Sequence, residues 1–246
     1  MQENILIGII LLEKTMRRFF GRKENDNIVI ENDEFFHLNK VLRMKEGEKL
    51  YAYVNDENEY LCEISKMNKN DCVCKIESYS KCVGLPTKDI TLFQMMPKKE
   101  YFDEILPKSI ELGVSEIYFF ESEYTMNKNF KRERVDSQVM TACKQCERSK
   151  LVPVHDIIKF NKMTELLKNY DIVIFANEDE EKLFDTSVLD GKQKIAVVIG
   201  NEAGFSDKEK EILKARAHSI SLGKRILRCD TAVVATLAII NIISGN

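Results

Sequence analysis

The stretch of sequence best suited to binding a ligand is a glycine-bearing loop that follows a strongly apolar segment. Lys194–Ile199 predicts a buried strand, and Gly200 and Gly204 then stand four residues apart in a turn. Glycines let the backbone of such a turn approach a ligand closely, and open α/β sheets bind ligands at the carboxyl ends of their strands. The spacing matches neither G-x-G-x-x-G nor G-x-x-x-x-G-K-S/T, so the usual dinucleotide and triphosphate sites are excluded. Glu202 is a functional carboxylate or a partner of the next helix dipole, and an ordinary strand–turn–helix connection is the alternative to a site.

A second loop, just before the C-terminal helix, concentrates positive charge. Ile212–Cys229 contains five basic residues and no acidic one, and Lys224, Arg225 and Arg228 lie close together in it. The segment that follows, from Asp230 to Ile243, is apolar on nearly every side, so it predicts a buried helix that can pack against a second subunit. The alternative for the arginines is a solvated loop.

Two further groups of basic residues could contact a polyanion. Residues 128–150 contain seven basic and three acidic residues, and three arginines flank Phe19 and Phe20. Because the net charge is −3, from 37 basic and 40 acidic residues, any polyanion must be bound by such local patches. The alternative is that these residues only form solvated surfaces. The candidates are Arg17, Arg18, Arg22, Lys131, Arg132 and Arg148.

The seven cysteines and three histidines predict no metal site. Cys143 and Cys146 fall within a helical pattern, Cys72 and Cys74 lie on one face of a predicted strand, and no second pair has matching spacing. The apolar run Ile5–Leu12 has no basic region before it and is far shorter than the roughly 20 residues of a membrane span. Because the chain is too long to need disulfides, its cysteines predict free thiols in a cytoplasmic protein that does not enter a membrane.

The elements that must position these residues fall into two parts. Up to about residue 84, short alternating strands between Asn, Asp and Gly turns predict a small β-barrel, interrupted by one helix at Glu34–Arg43. After the linker Gly84–Lys88, strands and helices alternate, which predicts an α/β domain with a mostly parallel sheet. The predicted strands are 17–20, 28–30, 49–54, 60–64, 72–76, 90–96, 116–120, 171–175, 194–199 and 220–222, and the later helices are 99–112, 132–149 and 230–243.

Six short motifs occur in order along the chain, and together they are specific although each alone is not. They are Met16–Phe20, His37–Arg43, Lys108–Val114, Ala142–Arg148, Ile199–Gly204 and Leu222–Arg228. With these motifs the chain resembles the ribosomal RNA small-subunit methyltransferase E family from about Met16 to the C-terminus.

This resemblance implies a fold and a reaction. Residues 1–15 lie outside it as an N-terminal extension, residues 16–84 would form a PUA-like RNA-binding β-barrel, and residues 85–246 would form a SPOUT α/β methyltransferase domain with a C-terminal trefoil knot. True knots are very rare, so only the family likeness supports this one. The resemblance also implies a homodimer, S-adenosylmethionine as methyl donor, and methylation of N3 of one uridine, position 1498 in the usual numbering, in the 16S ribosomal RNA of the 30S subunit.

The resemblance further assigns roles to residues. We hypothesise that Arg228 stabilises the negative charge that develops on the uracil, with Glu202 as the candidate base for the N3 proton. The six basic residues named above become the RNA-binding candidates. The implied cofactor pocket comprises Phe175, Ala176, Asn177, Ile199, Gly200, Glu202, Gly204, Leu222, Gly223, Arg225, Ile226 and Leu227.

The chain departs from the family at the glycine-bearing loop, which usually reads G-P-E-G-G. Asn201 and Ala203 replace a proline and a glycine, and both changes alter the backbone angles open to the loop. Two other functions are therefore weighed: a catalytically silent RNA-binding protein of the same fold, and a SPOUT methyltransferase acting elsewhere, such as on a transfer RNA 2′-hydroxyl. Calorimetry with S-adenosylmethionine tests the first, because a silent protein need not bind the cofactor. The N-terminal barrel and the small-subunit-type motifs argue against the second.

Overall fold

The structure is a computed structural model that describes residues 16–126 and 130–245. It divides into two compact units. The first comprises the described residues up to Leu85 together with Glu147–Leu151, and the second comprises Pro86–Cys146 and the chain from Val152 onward. The predicted extension at residues 1–15 lies outside the described residues.

The first unit is built on one six-stranded sheet that curls around its own core. Its strands are β1 (Arg18–Phe20), β2 (Arg22–Glu24), β3 (Asn27–Glu31), β4 (Lys49–Tyr53), β5 (Asn58–Met67) and β6 (Asp71–Lys81). They lie in the order β1-β4-β5-β6-β3-β2, with β1 parallel to β4 and the other neighbours antiparallel. Register shifts between β5 and β6 bend the sheet. The predicted barrel-like fold is confirmed as this half-barrel.

One helical insert closes the core of the first unit. The helix α1 (Asn32–Phe36) runs directly into a single π-helical turn, His37–Val41. Leu38 is fully buried in the core, whereas Phe36 and Val41 are 60% and 59% exposed. The insert therefore packs one side into the sheet and leaves two large apolar side chains at the surface.

The second unit is built on a parallel sheet. Its strands are β7 (Asp89–Met95), β8 (Glu116–Glu121), β9 (Ile158–Lys159), β10 (Ile172–Ala176), β11 (Lys194–Ile199) and β12 (His218–Ile220), in the spatial order β12-β10-β11-β7-β8-β9. Every neighbouring pair is parallel, which confirms the predicted sheet. The helices are α2 (Lys99–Glu111), α3 (Arg132–Gln145), α4 (Phe160–Leu166), α5 (Asp207–Lys214) and α6 (Cys229–Ser244), with 3-10 turns at Leu167–Asn169 and Thr186–Leu189.

Burial on both faces explains why the central strands read as continuous apolar runs. From Ile195 to Ile199 every residue of β11 is buried, because helices and turns cover both sides of the sheet.

After β11 the chain enters α5 through a capping box. In it the Glu209 carboxylate accepts from the backbone N–H of Ser206 at 3.1 Å, as the Ser-x-x-Glu spacing predicts.

The helix α3 differs from the prediction in where it ends, and α6 differs in how far it is buried. α3 ends at Gln145 rather than at Ser149, because Glu147 takes a left-handed backbone (φ 61°) and the next residues pack within the first unit. α6 is only partly covered: Val233, Leu237 and Ile240 are buried, whereas Ile242 is 78% exposed. A trefoil knot requires the backbone to pass through a loop of its own chain, and this passage stays a prediction.

Candidate active site

A cavity of about 340 Å³ opens at the carboxyl ends of β10 and β11. Three segments form most of it: the turn after β10, the loop of residues 200–204 after β11 (the glycine loop), and residues 221–228 before α6 (the basic loop). Parallel strands end together at one edge of a sheet, so segments distant in sequence meet there, as at the ligand sites of other open α/β sheets.

Every residue that the resemblance assigns to the cofactor pocket lines this one cavity, and so does Arg228. These residues are Phe175, Ala176, Asn177, Ile199, Gly200, Glu202, Gly204, Leu222, Gly223, Arg225, Ile226 and Leu227. Glu202 and Arg228, the two residues with hypothesised chemistry, therefore share a cavity although they come from different loops.

Hydrogen bonds from buried amides fix the glycine loop. The fully buried Gln94, on β7, donates to the carbonyl of Gly200 at 3.0 Å. Asn201 donates to the carbonyl of Met96 at 3.2 Å, and its side-chain oxygen accepts from the N–H of Ala203 at 2.9 Å. An asparagine side chain that bonds the backbone two residues later closes a turn by itself. Where the family has a proline ring, Asn201 restrains this loop with two hydrogen bonds.

Glu202 projects from the glycine loop and is held by the start of α2. Its carboxylate lies 3.8 Å from the ammonium of Lys98 and accepts a hydrogen bond of 3.4 Å from the backbone N–H of the same residue. Burial, together with the charge of Glu202, raises the pKa of the Cys229 thiol to about 11. At neutral pH Cys229 is therefore a protonated thiol rather than a nucleophile, which leaves Glu202 as the base candidate at this corner.

The glycines of both loops keep the cavity open. Gly204 (φ 69°) and Gly223 (φ 112°) adopt left-handed backbone angles that side chains disfavour. A Cβ at Gly204 would lie 3.2 Å from Oε1 of Glu178, and one at Gly200 would lie 3.1 Å from the ring of Phe205. Because these positions lack side chains, the backbone of both loops can approach a ligand closely.

Several lining residues could not be found from sequence spacing, and Tyr101, Glu178 and Lys210 are the most informative of them. The Lys210 ammonium lies 3.1 Å from Glu178 and 2.6 Å from Asp179, so it ties α5 to the turn after β10. The hydrogen bond from Lys210 lowers the pKa of Asp179. The sequence around Lys210 predicts a charged residue on a helix, but it does not indicate which loop that residue contacts. The other unforeseen lining residues are Asn201, Phe205, Ser221, Lys224, Cys229 and Ala232.

The candidate RNA-binding arginines of the first unit differ in their exposure. Arg17 and Arg22 are exposed, although Arg22 pairs with Glu24, whereas Arg18 is half-buried and pairs with Glu59 at 2.9 Å. Arg148, in the segment that belongs to this unit, is only 5% exposed. Any RNA contact from this unit must therefore be carried by its exposed members, Arg17 above all.

Each unit also has exposed basic residues outside the arginines described above. In the second unit Lys131 is exposed and Arg132 pairs with Asp156. In the first unit the helical insert adds exposed Lys40 and Arg43, which sequence reasoning did not single out as RNA contacts. Residues 35–45 contain three basic residues and no acidic one, and this local excess of positive charge could have indicated an RNA contact.

Within residues 16–126 and 130–245, no group of three or more His, Cys, Asp or Glu side chains is arranged to hold a metal ion. No helix in the part of the chain that the structure describes is long and apolar enough to cross a membrane.

Comparison with known families identifies the class of protein. Residues 84–241 match the family described as RNA methyltransferase domain, and residues 30–77 match the family described as RNA methyltransferase PUA domain. The first match covers more than half of the chain, so the chain belongs to this RNA methyltransferase family, and the resemblance seen in its motifs is confirmed.

Individual relatives agree along nearly the whole chain. The ribosomal RNA small subunit methyltransferase E of Rickettsia conorii is 25% identical over 237 residues, which covers 91% of this chain and 93% of the relative. The protein of the same name from Buchnera aphidicola subsp. Schizaphis graminum is 29% identical, over 90% of this chain and 93% of the relative. A solved structure of the Neisseria gonorrhoeae protein of that name, bound to S-adenosyl methionine, has a TM-score of 0.82 at 24% identity, covering 93% of this chain and 98% of that one.

Proposed function

We propose that this protein transfers a methyl group from S-adenosylmethionine to N3 of one uridine in 16S ribosomal RNA, at position 1498 in the usual numbering. The observation that carries the proposal is the single cavity in which the glycine loop, Glu202 and Arg228 meet, in a chain of an RNA methyltransferase family. The names of the relatives support the small-subunit RNA as substrate. The N. gonorrhoeae relative, bound to S-adenosyl methionine, supports the cofactor.

The residues of the cavity suit this cofactor. The cavity volume of about 340 Å³ lies within the range of roughly 300–1,000 Å³ for small-molecule sites. Leu222, Ile226 and Leu227 offer apolar surface to an adenine ring, the open backbone at the glycines offers hydrogen bonds, and Glu178 offers an acceptor. When bound, the cofactor supplies a methyl group whose bond to sulfur breaks as the bond to the accepting atom forms.

The protein's own task is to place the uracil and to manage its proton and charge. N3 of uridine carries a weakly acidic proton, so a base must accept that proton as N3 is methylated. Glu202, steadied by Lys98, is the proposed acceptor. Arg228, at the end of the basic loop, is proposed to stabilise the negative charge that spreads onto the uracil oxygens.

Exposed residues of both units are consistent with the proposed substrate and with a dimer. We assign RNA contact to the exposed basic residues, including Arg17, Lys40, Arg43 and Lys131, because positive side chains fix the position of a phosphate backbone. A homodimer would cover the apolar side of α6 that ends in the exposed Ile242. A substrate in the 30S subunit implies a cytoplasmic site of action.

The direct test is methyl transfer from labelled S-adenosylmethionine to unmodified 30S subunits, with the product mapped by nuclease digestion and mass spectrometry. We expect the label in a 3-methyluridine at the proposed position. Label in another nucleotide, or on naked RNA alone, would contradict the proposed substrate. Failure to bind the cofactor in calorimetry would favour the catalytically silent alternative.

A further inference from the structure

Three aromatic residues line the cavity, and only one of them is available to a ligand. Phe175 and Phe205 are 0% and 7% exposed and pack edge to face at 5.4 Å, so both belong to the core. Tyr101 is half-buried. Among residues 16–126 and 130–245 its ring meets no other ring and its hydroxyl has no hydrogen-bond partner. The ring and the hydroxyl of Tyr101 are therefore both open to a molecule bound in the cavity.

Tyr101 lies at the corner of the cavity that holds the proposed base. It is in the first turn of α2, three residues after Lys98, which is the N-cap residue of this helix. Lys98 contacts Glu202 through both its backbone N–H and its ammonium. The next residue, Phe102, packs on Phe119 at 4.6 Å, which anchors this turn in the core.

We propose that Tyr101 is the surface on which the target uracil stacks while its N3 faces Glu202 and Arg228. This inference rests on the proposed function. N3 lies on the base-pairing edge of uracil, so the base must leave its neighbours in the RNA to reach the cavity. An extracted base loses its stacking partners, and an aromatic side chain beside the reacting groups replaces them.

Substitutions of Tyr101 distinguish a role of its ring from a role of its hydroxyl, and they distinguish a contact with the uracil from a contact with the cofactor. Tyr101→Ala should lower kcat/KM on 30S subunits by about 5- to 150-fold, which corresponds to the loss of one base–aromatic stack. Tyr101→Phe keeps the ring and should remain close to wild type. Calorimetry with S-adenosylhomocysteine should give the same affinity for all three proteins. Tyr124→Ala, which removes a 44%-exposed aromatic outside the cavity lining, is the matched control and should behave as wild type.

A photochemical experiment reads the contact without relying on turnover. We would reconstitute 30S subunits with 5-iodouridine at the target position, bind the wild-type protein, irradiate, and map the cross-linked peptide by mass spectrometry. A cross-link on the peptide that contains Tyr101, lost in Tyr101→Ala, is the expected result. A cross-link confined to another segment would overturn the proposal.

The outcomes distinguish a failure of the stacking role of Tyr101 from a failure of the proposed methyltransferase function. If the wild-type protein does not methylate the target uridine at all, the proposed function fails before any variant is compared. If the wild type is active, full activity of Tyr101→Ala overturns only the stacking role. A loss of S-adenosylhomocysteine affinity equal to the loss of kcat/KM would assign Tyr101 to the cofactor and also overturn it.

Discussion

The glycine loop and the basic loop line the same cavity but are held in place very differently. The glycine loop is fixed by a buried glutamine of β7, by its own asparagine, and by the ion pair of Glu202 with Lys98. The basic loop is anchored at its first residue, where the Ser221 N–H donates to the carbonyl of Lys182 at 2.8 Å. Beyond that point the hydrogen bonds between Ser221 and Gly223 are long, at 3.3 and 3.4 Å, and Lys224–Ile226 are exposed. One wall of the cavity is thus preformed and the other is lightly supported.

This difference matches the different chemistry of the two loops. A base must stand within hydrogen-bond reach of the proton that it accepts, so a fixed backbone suits the role proposed for Glu202. A loop with few contacts can change conformation at little cost in free energy, so the basic loop can adapt when RNA and cofactor arrive. We expect the loss of a support of the glycine loop to destabilise the fold more than the loss of a contact within the basic loop, and we expect the largest effect on the reaction from Arg228 in the basic loop.

The sharpest challenge to this comparison is Arg228→Ala. If the basic loop supplies charge stabilisation, single-turnover methyl transfer should fall about 100- to 1,000-fold, the usual loss when one oxyanion-stabilising donor is removed. Arg216→Ala, an exposed arginine outside the cavity lining, serves as control and should remain near wild type. Full single-turnover transfer by Arg228→Ala, together with its loss in Arg17→Ala, would show that the assignment of Arg228 is wrong.

The two left-handed glycines provide the next contrast. Gly204→Ala and Gly223→Ala should each lower the free energy of unfolding by about 1–2 kcal/mol, because a Cβ disfavours left-handed angles. Gly204→Ala should also weaken S-adenosylhomocysteine binding, since its Cβ would meet Glu178 at 3.2 Å, whereas nothing lies within 4 Å of a Cβ at Gly223. Urea unfolding and calorimetry measure the two effects. Equal losses of affinity would mean that both walls are equally rigid.

The hydrogen bonds that hold each loop in place can be removed one at a time. Gln94→Met deletes the buried amide at similar volume and leaves the Gly200 carbonyl without its donor, so unfolding should become easier by about 1–3 kcal/mol. Ser221→Ala removes only the long bonds to Gly223 and should cost about 0.5 kcal/mol. Urea denaturation decides the order, and a larger effect at Ser221 would reverse the comparison.

A pH dependence is expected at the start of α6, and it appears only above neutral pH. Burial raises the pKa of Cys229 from 9.0 to about 11, so the folded protein keeps a proton that the unfolded chain releases. The stabilisation is complete below pH 9 and is lost as pH rises toward 11. Cys229→Ala should therefore show a shallower decline in unfolding free energy across that interval. Parallel declines for the two proteins would place the titrating group elsewhere.

Local patterns in the sequence predicted much of the fold and of the candidate site. The bounds of β11 were correct because all-round burial leaves an uninterrupted apolar run, and the Ser206–Glu209 box marked the start of α5. The end of α3 was wrong because residues after Gln145 remain helix-compatible in composition, and only packing within the first unit turns them away.

The unforeseen part of the site depends on contacts between distant segments. Gln94 and Tyr101 come from β7 and α2, about a hundred residues before the glycine loop, and nothing in their local pattern differs from an ordinary strand or helix. The role of Asn201 was hidden for another reason. As a replacement for proline it indicated only a change in the backbone angles open to the loop. The hydrogen bond to Met96 shows that a restraint is supplied by other means.

The first unit is discontinuous in sequence, which limits how this protein can be divided or re-engineered. Ser149 donates to the carbonyl of Asp56 at 2.7 Å, and the backbone N–H of Leu151 donates to Asn55 at 2.9 Å. A gene fragment that stopped at the linker would encode a half-barrel without these five residues, Glu147–Leu151, and would leave Asp56 and Asn55 without those donors. A fragment that keeps every contact of the half-barrel must therefore include the returning segment Glu147–Leu151 as well as the chain up to Leu85.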